Sequence, residues 1–132
     1  MKQSGIVSCF ATLALCTAPS LGADVEKMRP AATRLHAPPG STMEQVLHGE
    51  RVFHGEVAGG RCSICHGTDA KGTENGNDLT LGLWIWGDGS LAAIRNTVQH
   101  NMKVAPGMDG NLMPEDVDAV AAYVWALGHQ WR

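Results

Sequence analysis

Apolar residues fall along this chain in one short continuous block and three periodic ones. The continuous block runs from Ile6 to Ala18, with Lys2 ahead of it and the small-residue stretch Ser20-Leu21-Gly22-Ala23 behind. The periodic blocks have helical spacing. Ser41-Thr42-Met43-Glu44 reads as a helix start, a hydroxyl cap followed by a glutamate. Apolar residues then recur at Met43, Val46, Leu47 and Val52-Phe53, which predicts one buried face. Gly49 and Phe53, four apart, share a side of that helix, and a glycine there lets a second helix approach closely. The turn Ala58-Gly59-Gly60 is expected to break it. A second helix is predicted from Ser90 as cap through Leu91 to Val98, fading near His100-Asn101. The third is the strongest. Pro114 suits the first helical position, Glu115, Asp116 and Asp118 put negative charge at the positive end, and Val117, Val120, Ala121, Val124 and Leu127 form the stripe. Gly128 can close it. No segment shows the period-two alternation of a strand backed by hairpin turns, so the expected class is all-α.

The leading block changes the picture of the whole chain. A basic start, a short apolar run and small residues ending near Gly22 or Ala23 read as a secretory signal peptide over residues 1–23, too short to span a bilayer. Its removal takes away one lysine and no acid, moving the net charge from −3 to −4. No basic run survives, so nucleic acid is not an expected partner. No later stretch is long enough to cross a membrane, and the expected location is the periplasm. Residues 24–40, with Pro30, Pro38 and Pro39, form an extended lead-in, read first as a flexible tail and alternatively as a docking arm. Residues 41–132 form the remaining domain.

Cysteine usage then narrows the chemistry. Cys9 and Cys16 leave with the signal segment, and only Cys62 and Cys65 remain, three apart, with His66 next. Arg61-Cys62-Ser63-Ile64-Cys65-His66-Gly67 contains C-x-x-C-H, the attachment signature of c-type haem. Two thiols one helical turn apart can each add to a vinyl group of one porphyrin, and the next histidine can offer a nitrogen to the iron. A thioredoxin-like dithiol would sit in an alternating βαβ pattern, which is absent. Structural zinc would need a second ligand pair, and no other cysteine remains.

Several features together resemble class I cytochromes c: Gly49 and Phe53 on a first helix, CSICHG after it, Asp78-Leu79-Thr80, and AAYVWAL on a last helix. The likeness covers roughly residues 41–129. It is closer to small bacterial monohaem cytochromes, through Gly49-Glu50-Arg51-Val52-Phe53-His54-Gly55 and Trp84-Ile85-Trp86-Gly87-Asp88-Gly89-Ser90-Leu91. The resemblance implies about three main helices wrapped around one covalently bound haem c, the first and last crossing with Gly49 against Phe53 and Tyr123. It implies His66 as proximal iron ligand and an indole N–H, from Trp84 or Trp86, toward a propionate; the plain alternative is that both tryptophans fill the core.

The sequence departs from that family at two places. Members usually carry the sixth ligand as a methionine in the loop before the last helix, often as Met-Pro. Here Met102, Met108 and Met113 compete. Met113-Pro114 abuts the helix, where Met113 is expected to sit at the cap and pack as core, and Met102 lies at the frayed end of the preceding helix. Met108, mid-loop after a Pro-Gly turn, is the favoured distal ligand. A gapless register places Ala105 at the ligand position, which keeps His100, or an open sixth site, as alternatives. The second departure is Gly76-Asn77-Asp78-Leu79 in place of Gly-Pro-x-Leu. A carbonyl survives to accept the proximal imidazole's N–H, while the proline's rigidity is lost. His36, His48, His54 and His129 read as solvated side chains.

The expected function is electron transfer rather than catalysis, by a monomer moving single electrons between an exported dehydrogenase or membrane respiratory complex and an acceptor. A ligand-binding or peroxidase-like haem protein, and a fixed haem subunit of a larger oxidoreductase, are the alternatives.

Overall fold

The computed structural model describes residues 29–100 and 112–130. Along these the chain forms a 3-10 turn at Ala32–Arg34, then α1 (Met43–Phe53), α2 (Cys62–His66), α3 (Leu91–His100) and α4 (Pro114–Gly128). No strand occurs among the described residues; Thr73 and Gly76 form an isolated bridge. The three main helices lie where the apolar periodicity puts them, and the haem-type motif is itself a short helix. Two local details differ. The capping partner of Thr42 is Gln45, not Glu44, because the reciprocal bond needs the residue three positions on (2.9 and 3.2 Å). Helix α1 ends at Phe53, before the Ala58-Gly59-Gly60 turn, where Gly55 takes a φ of +79°.

Helix α4 is buried almost all round, as a helix rich in Val and Ala with few polar positions must be. It crosses α1 at Gly49, where an added Cβ would stand 2.0 Å from the Ala119 carbonyl oxygen and 2.9 Å from Tyr123 Cβ. One turn on, Phe53 meets Tyr123 edge to face with ring centroids 5.4 Å apart. Val46, Val52, Val120 and Leu127 complete this seam. Helix α3 packs on α4 through buried Ile94, with an Arg95–Asp118 ion pair at the surface.

Two histidines expected to be solvated are structural. His48 Nε2 lies 2.8 Å from Asp116 Oδ1, and Asp116 Oδ2 accepts the Met113 N–H at 3.2 Å. The nearly buried carboxylate thus caps α4 and ties it to α1. His54 faces two carbonyls, of Glu50 (2.9 Å) and Thr68 (3.0 Å), joining the end of α1 to the chain beyond the motif. His129 stacks on Trp125 with centroids 3.9 Å apart. His36 is exposed, as expected.

The lead-in also departs from expectation. Ala32, Leu35 and Pro38 are buried, the 3-10 turn packs on α1, and Arg29 pairs with Glu56. Residues 29–40 therefore close one side of the core rather than trail from it, because their apolar side chains bury more surface there than a free tail allows. The signal-peptide expectation falls on residues outside those described. No helix among the described residues is long and apolar enough to cross a membrane.

The buried hydroxyl of Tyr123 has no hydrogen-bond partner among the described residues. Burial, reinforced by the charge of Glu50, pushes this phenol well above its ordinary 10.0. The folded form therefore keeps its proton while the unfolded chain loses it, so stability present below pH 10 falls as pH rises beyond it. Tyr123→Phe is expected to hold or raise stability at neutral pH, by up to about 1 kcal/mol, since no bond is lost. It should also remove part of the alkaline decline. Urea unfolding of both proteins at pH 7 and about pH 11 checks this, and a neutral-pH loss above about 1 kcal/mol would show a bonded hydroxyl.

Candidate functional site

The three main helices leave a cavity of about 390 Å³ between them. One wall is the motif: Gly60, Arg61, Cys62, Cys65 and His66. The opposite side is apolar, from Ile94 and Val98 on α3 and Val117, Val120 and Val124 on α4. Phe53 of α1 and the segment Leu79, Trp84, Ile85 and Trp86 complete the lining.

The motif wall follows from its local helix. A spacing of three on one helical turn brings both cysteines to the same face, and both line the cavity as free thiols. Burial pushes the Cys62 thiol up to about 11, so it stands neutral in an apolar wall at pH 7. His66 Nδ1 donates to the Asn77 carbonyl at 2.9 Å. That bond selects the tautomer whose Nε2 carries a bare lone pair, the form a metal ligand needs.

The residues replacing Gly-Pro-x-Leu recover rigidity by another route. Thr73 N–H donates to Gly76 O at 2.8 Å, Thr73 Oγ1 to Cys65 O at 2.6 Å, and Gly72 N–H to His66 O at 2.8 Å. Gly76 lies so close that an added Cβ would stand 2.6 Å from the Cys65 carbonyl oxygen. The turn is clamped onto the motif, and the Asn77 carbonyl is held without a proline ring. Thr73 is a site residue that motif matching missed; the Asn75-Gly76 turn pair was its available signal.

Trp84 and Trp86 have parted roles. Trp84 is half-buried, with Gly89 and Gly128 against its indole, and lies 6.3 Å from the His129 ring in a near-parallel stack. Trp86 is 53% exposed at the cavity edge and is no core filler. Among the distal candidates, Met113 does take the N-cap of α4, but it is 56% exposed rather than packed as core, because the cap leaves its side chain outside the α1–α4 seam. His100 is exposed, and its Nδ1 donates to Asn96 O of its own helix at 3.1 Å. Neither lines the cavity. Met102, Ala105 and Met108 lie outside the described residues.

The donor set fits the haem that the motif implies. Two thiols and one imidazole with a bare nitrogen share one wall of an apolar slot, which suits a flat macrocycle held by thioethers and one axial nitrogen. No group of three or more His, Cys, Asp or Glu among the described residues is placed to hold a bare metal ion.

Comparison with known proteins agrees with this chemistry. Residues 46–128 match the family model "Cytochrome c". The chain is 35% identical over 94 residues to the cbb3-type cytochrome c oxidase subunit FixP of Bradyrhizobium sp. (strain ORS 278), covering 63% of this chain and 32% of that protein. It is 30% identical over 121 residues to the subunit CcoP of Rubrivivax gelatinosus, covering 80% and 38% respectively. With CcoP of Rhodobacter capsulatus it shares 38% over 77 residues, or 51% and 26%. It spans about a third of the length of the curated relatives it matches. With an all-α fold built around a C-x-x-C-H wall and a family match across most of the domain, the chain belongs to the cytochrome c family, as an electron carrier with covalently bound haem c.

Proposed function

We propose that this protein moves single electrons to or from a respiratory complex outside the cytoplasm, with Cys62 and Cys65 holding the haem, His66 as proximal ligand and Met108 as distal ligand. The observation that carries this is the bond from His66 Nδ1 to Asn77 O, which leaves Nε2 free beside two thiols on one cavity wall. Bound haem supplies a one-electron iron couple. The chain's residues do the rest. The Asn77 carbonyl orients the imidazole and fixes its tautomer. The walls formed by Phe53, Ile94, Val120 and Val124 exclude water and keep the surroundings of low polarity. Trp84 or Trp86, both on the cavity lining, would offer an indole N–H to a propionate. The apolar run at residues 6–18 supports export, with the periplasm as the place of action. An exported dehydrogenase or a membrane respiratory complex is the partner this reading requires.

The naming of the relatives as cbb3-type cytochrome c oxidase subunits supports a second reading, a haem subunit held on such a complex. Gel filtration of gently solubilised extracts separates the two, as a free protein smaller than the 14.0 kDa of the full chain or as part of a much larger assembly.

The test of the ligand set is the absorption spectrum of the oxidised, haem-loaded protein beside Met108→Ala. A methionine-to-iron charge-transfer band is expected in the first and not in the second, and the reduced variant should bind carbon monoxide where the parent does not. A band that survives the substitution moves the ligand to Met102 or Met113. Its absence from the parent, with ready cyanide binding, makes ligand chemistry the better function.

A further inference from the structure

Residues 79–87 carry no charge, and four of their large side chains face outward: Leu81 is 62% exposed, Leu83 69%, Ile85 69% and Trp86 53%. Single exposed apolar residues need no explanation, but four within six positions do. The cause is an in–out alternation. Gly82 lies against the Gly128 carbonyl, where a Cβ would stand 2.5 Å from the oxygen, and Trp84 packs on Gly128 itself. With positions 82 and 84 pinned to the end of α4, positions 81, 83 and 85 have only the solvent side left.

The row ends at the cavity. Ile85 and Trp86 line it while staying more than half exposed, so whatever covers the row also lies against the haem slot. We propose that the Leu81-Leu83-Ile85-Trp86 row is the docking surface for this protein's redox partner, whose matching face is apolar at its centre and basic at its rim. The inference rests on the electron-carrier function and specifies where that function meets its partner.

Size and charge both select this occupant. Four large side chains at these exposures offer on the order of 500 Å² of apolar surface. Transient electron-transfer contacts bury up to about 600 Å² per partner, whereas a stable dimer needs ~800 Å² or more. Carboxylates flank the row in sequence, half-buried Asp78 before it and Asp88 after it. Asp88 is exposed, and hydrogen bonds from Ser90 hold its carboxyl below the usual range, so it is ionised at neutral pH. A lipid surface of neutral or anionic headgroups gains nothing from such a rim, while a basic-rimmed protein face does.

The test uses Leu81→Gln/Leu83→Gln, positions outside the cavity lining whose exposure leaves the fold untouched. The reduced, haem-loaded protein is mixed with washed respiratory membranes from the source organism, and its oxidation is followed spectroscopically. The variant is expected to react at least ~10-fold more slowly, as loss of a contact centre does, with ferricyanide oxidation, haem spectrum and melting temperature unchanged. Equal membrane rates for variant and parent overturn the docking surface. So does a parent that sediments as a dimer while the variant is monomeric, or one that binds phosphatidylcholine vesicles when the variant does not. A parent that ferricyanide oxidises but membranes do not also overturns it, while a parent that neither oxidises removes the carrier function beneath it.

Discussion

Cys62→Ser combined with Cys65→Ser is expected to yield a chain that neither carries covalent haem nor folds. The thiols are the cavity's means of keeping its occupant, and the cavity is too large for this domain to leave unfilled. Without its occupant, this open slot of about 390 Å³ leaves apolar lining such as Val98, Leu112, Trp84 and Ile85 against water, at ~25 cal/mol per Å² of apolar surface. Small domains have a total stability of about 5–15 kcal/mol. Ile94 of α3 and Val120 and Val124 of α4 belong both to the core and to the slot's lining, so what fills the slot bears on how these helices pack. Far-UV circular dichroism should show the double variant with most of its helix lost, and mass spectrometry should show the bare polypeptide. The single variant Cys62→Ser keeps one thioether and is expected to fold. A double variant that is helical and melts cooperatively would mean that the α1–α4 pair alone sustains the domain.

Gly49→Ala is the second large effect. In an exposed helix the change would add up to about 1 kcal/mol of stability through propensity. Here the new methyl would stand 2.0 Å from a carbonyl oxygen of α4. Overpacking costs about 1–3 kcal/mol where side chains can yield. This obstacle is helix backbone, and easing it means parting α1 from α4 and loosening Phe53 from Tyr123. A net loss of about 3 kcal/mol lowers the melting temperature by on the order of 10–20 °C for a domain of this size. Thermal melts of the two haem-loaded proteins decide it; an unchanged midpoint would mean that the helices have room at the crossing.

How legible this protein is from its sequence depends on which interactions are local. Helices α1, α3 and α4 announce themselves because an amphipathic stripe and a cap are both written within a dozen consecutive residues, as Thr42 with Gln45 and Pro114 with Asp116 show. C-x-x-C-H is legible for the same reason. Long-range pairings are not. Nothing near His48 signals that Asp116, 68 positions away, will take its imidazole, so a half-buried link read as a solvated side chain. The lead-in was misread similarly, since Ala32, Leu35 and Pro38, though three apart, stand in a short Pro-containing stretch without a cap or a charged face, and owe their burial to the packing of this turn on α1. Thr73 went unread, although Asn75-Gly76 marked a turn beside it, because its role is played toward a backbone atom of Cys65, which no motif records. The outward row from Leu81 to Ile85 depends on Gly82 and Trp84 meeting the end of α4, again a tertiary fact.

The hydrogen bond at His66 has an evolutionary corollary. Its acceptor is the main-chain oxygen of Asn77, an atom that all twenty amino acids supply, and residue 77 is exposed. Mutation at that codon can change the side chain without deleting the acceptor, whereas the neighbouring glycine admits almost no change. The support for the proximal histidine is thus written in chain geometry rather than in residue identity. A lineage could drift at position 77 while keeping its iron chemistry, and a family signature that demands proline there would overlook members that had lost nothing.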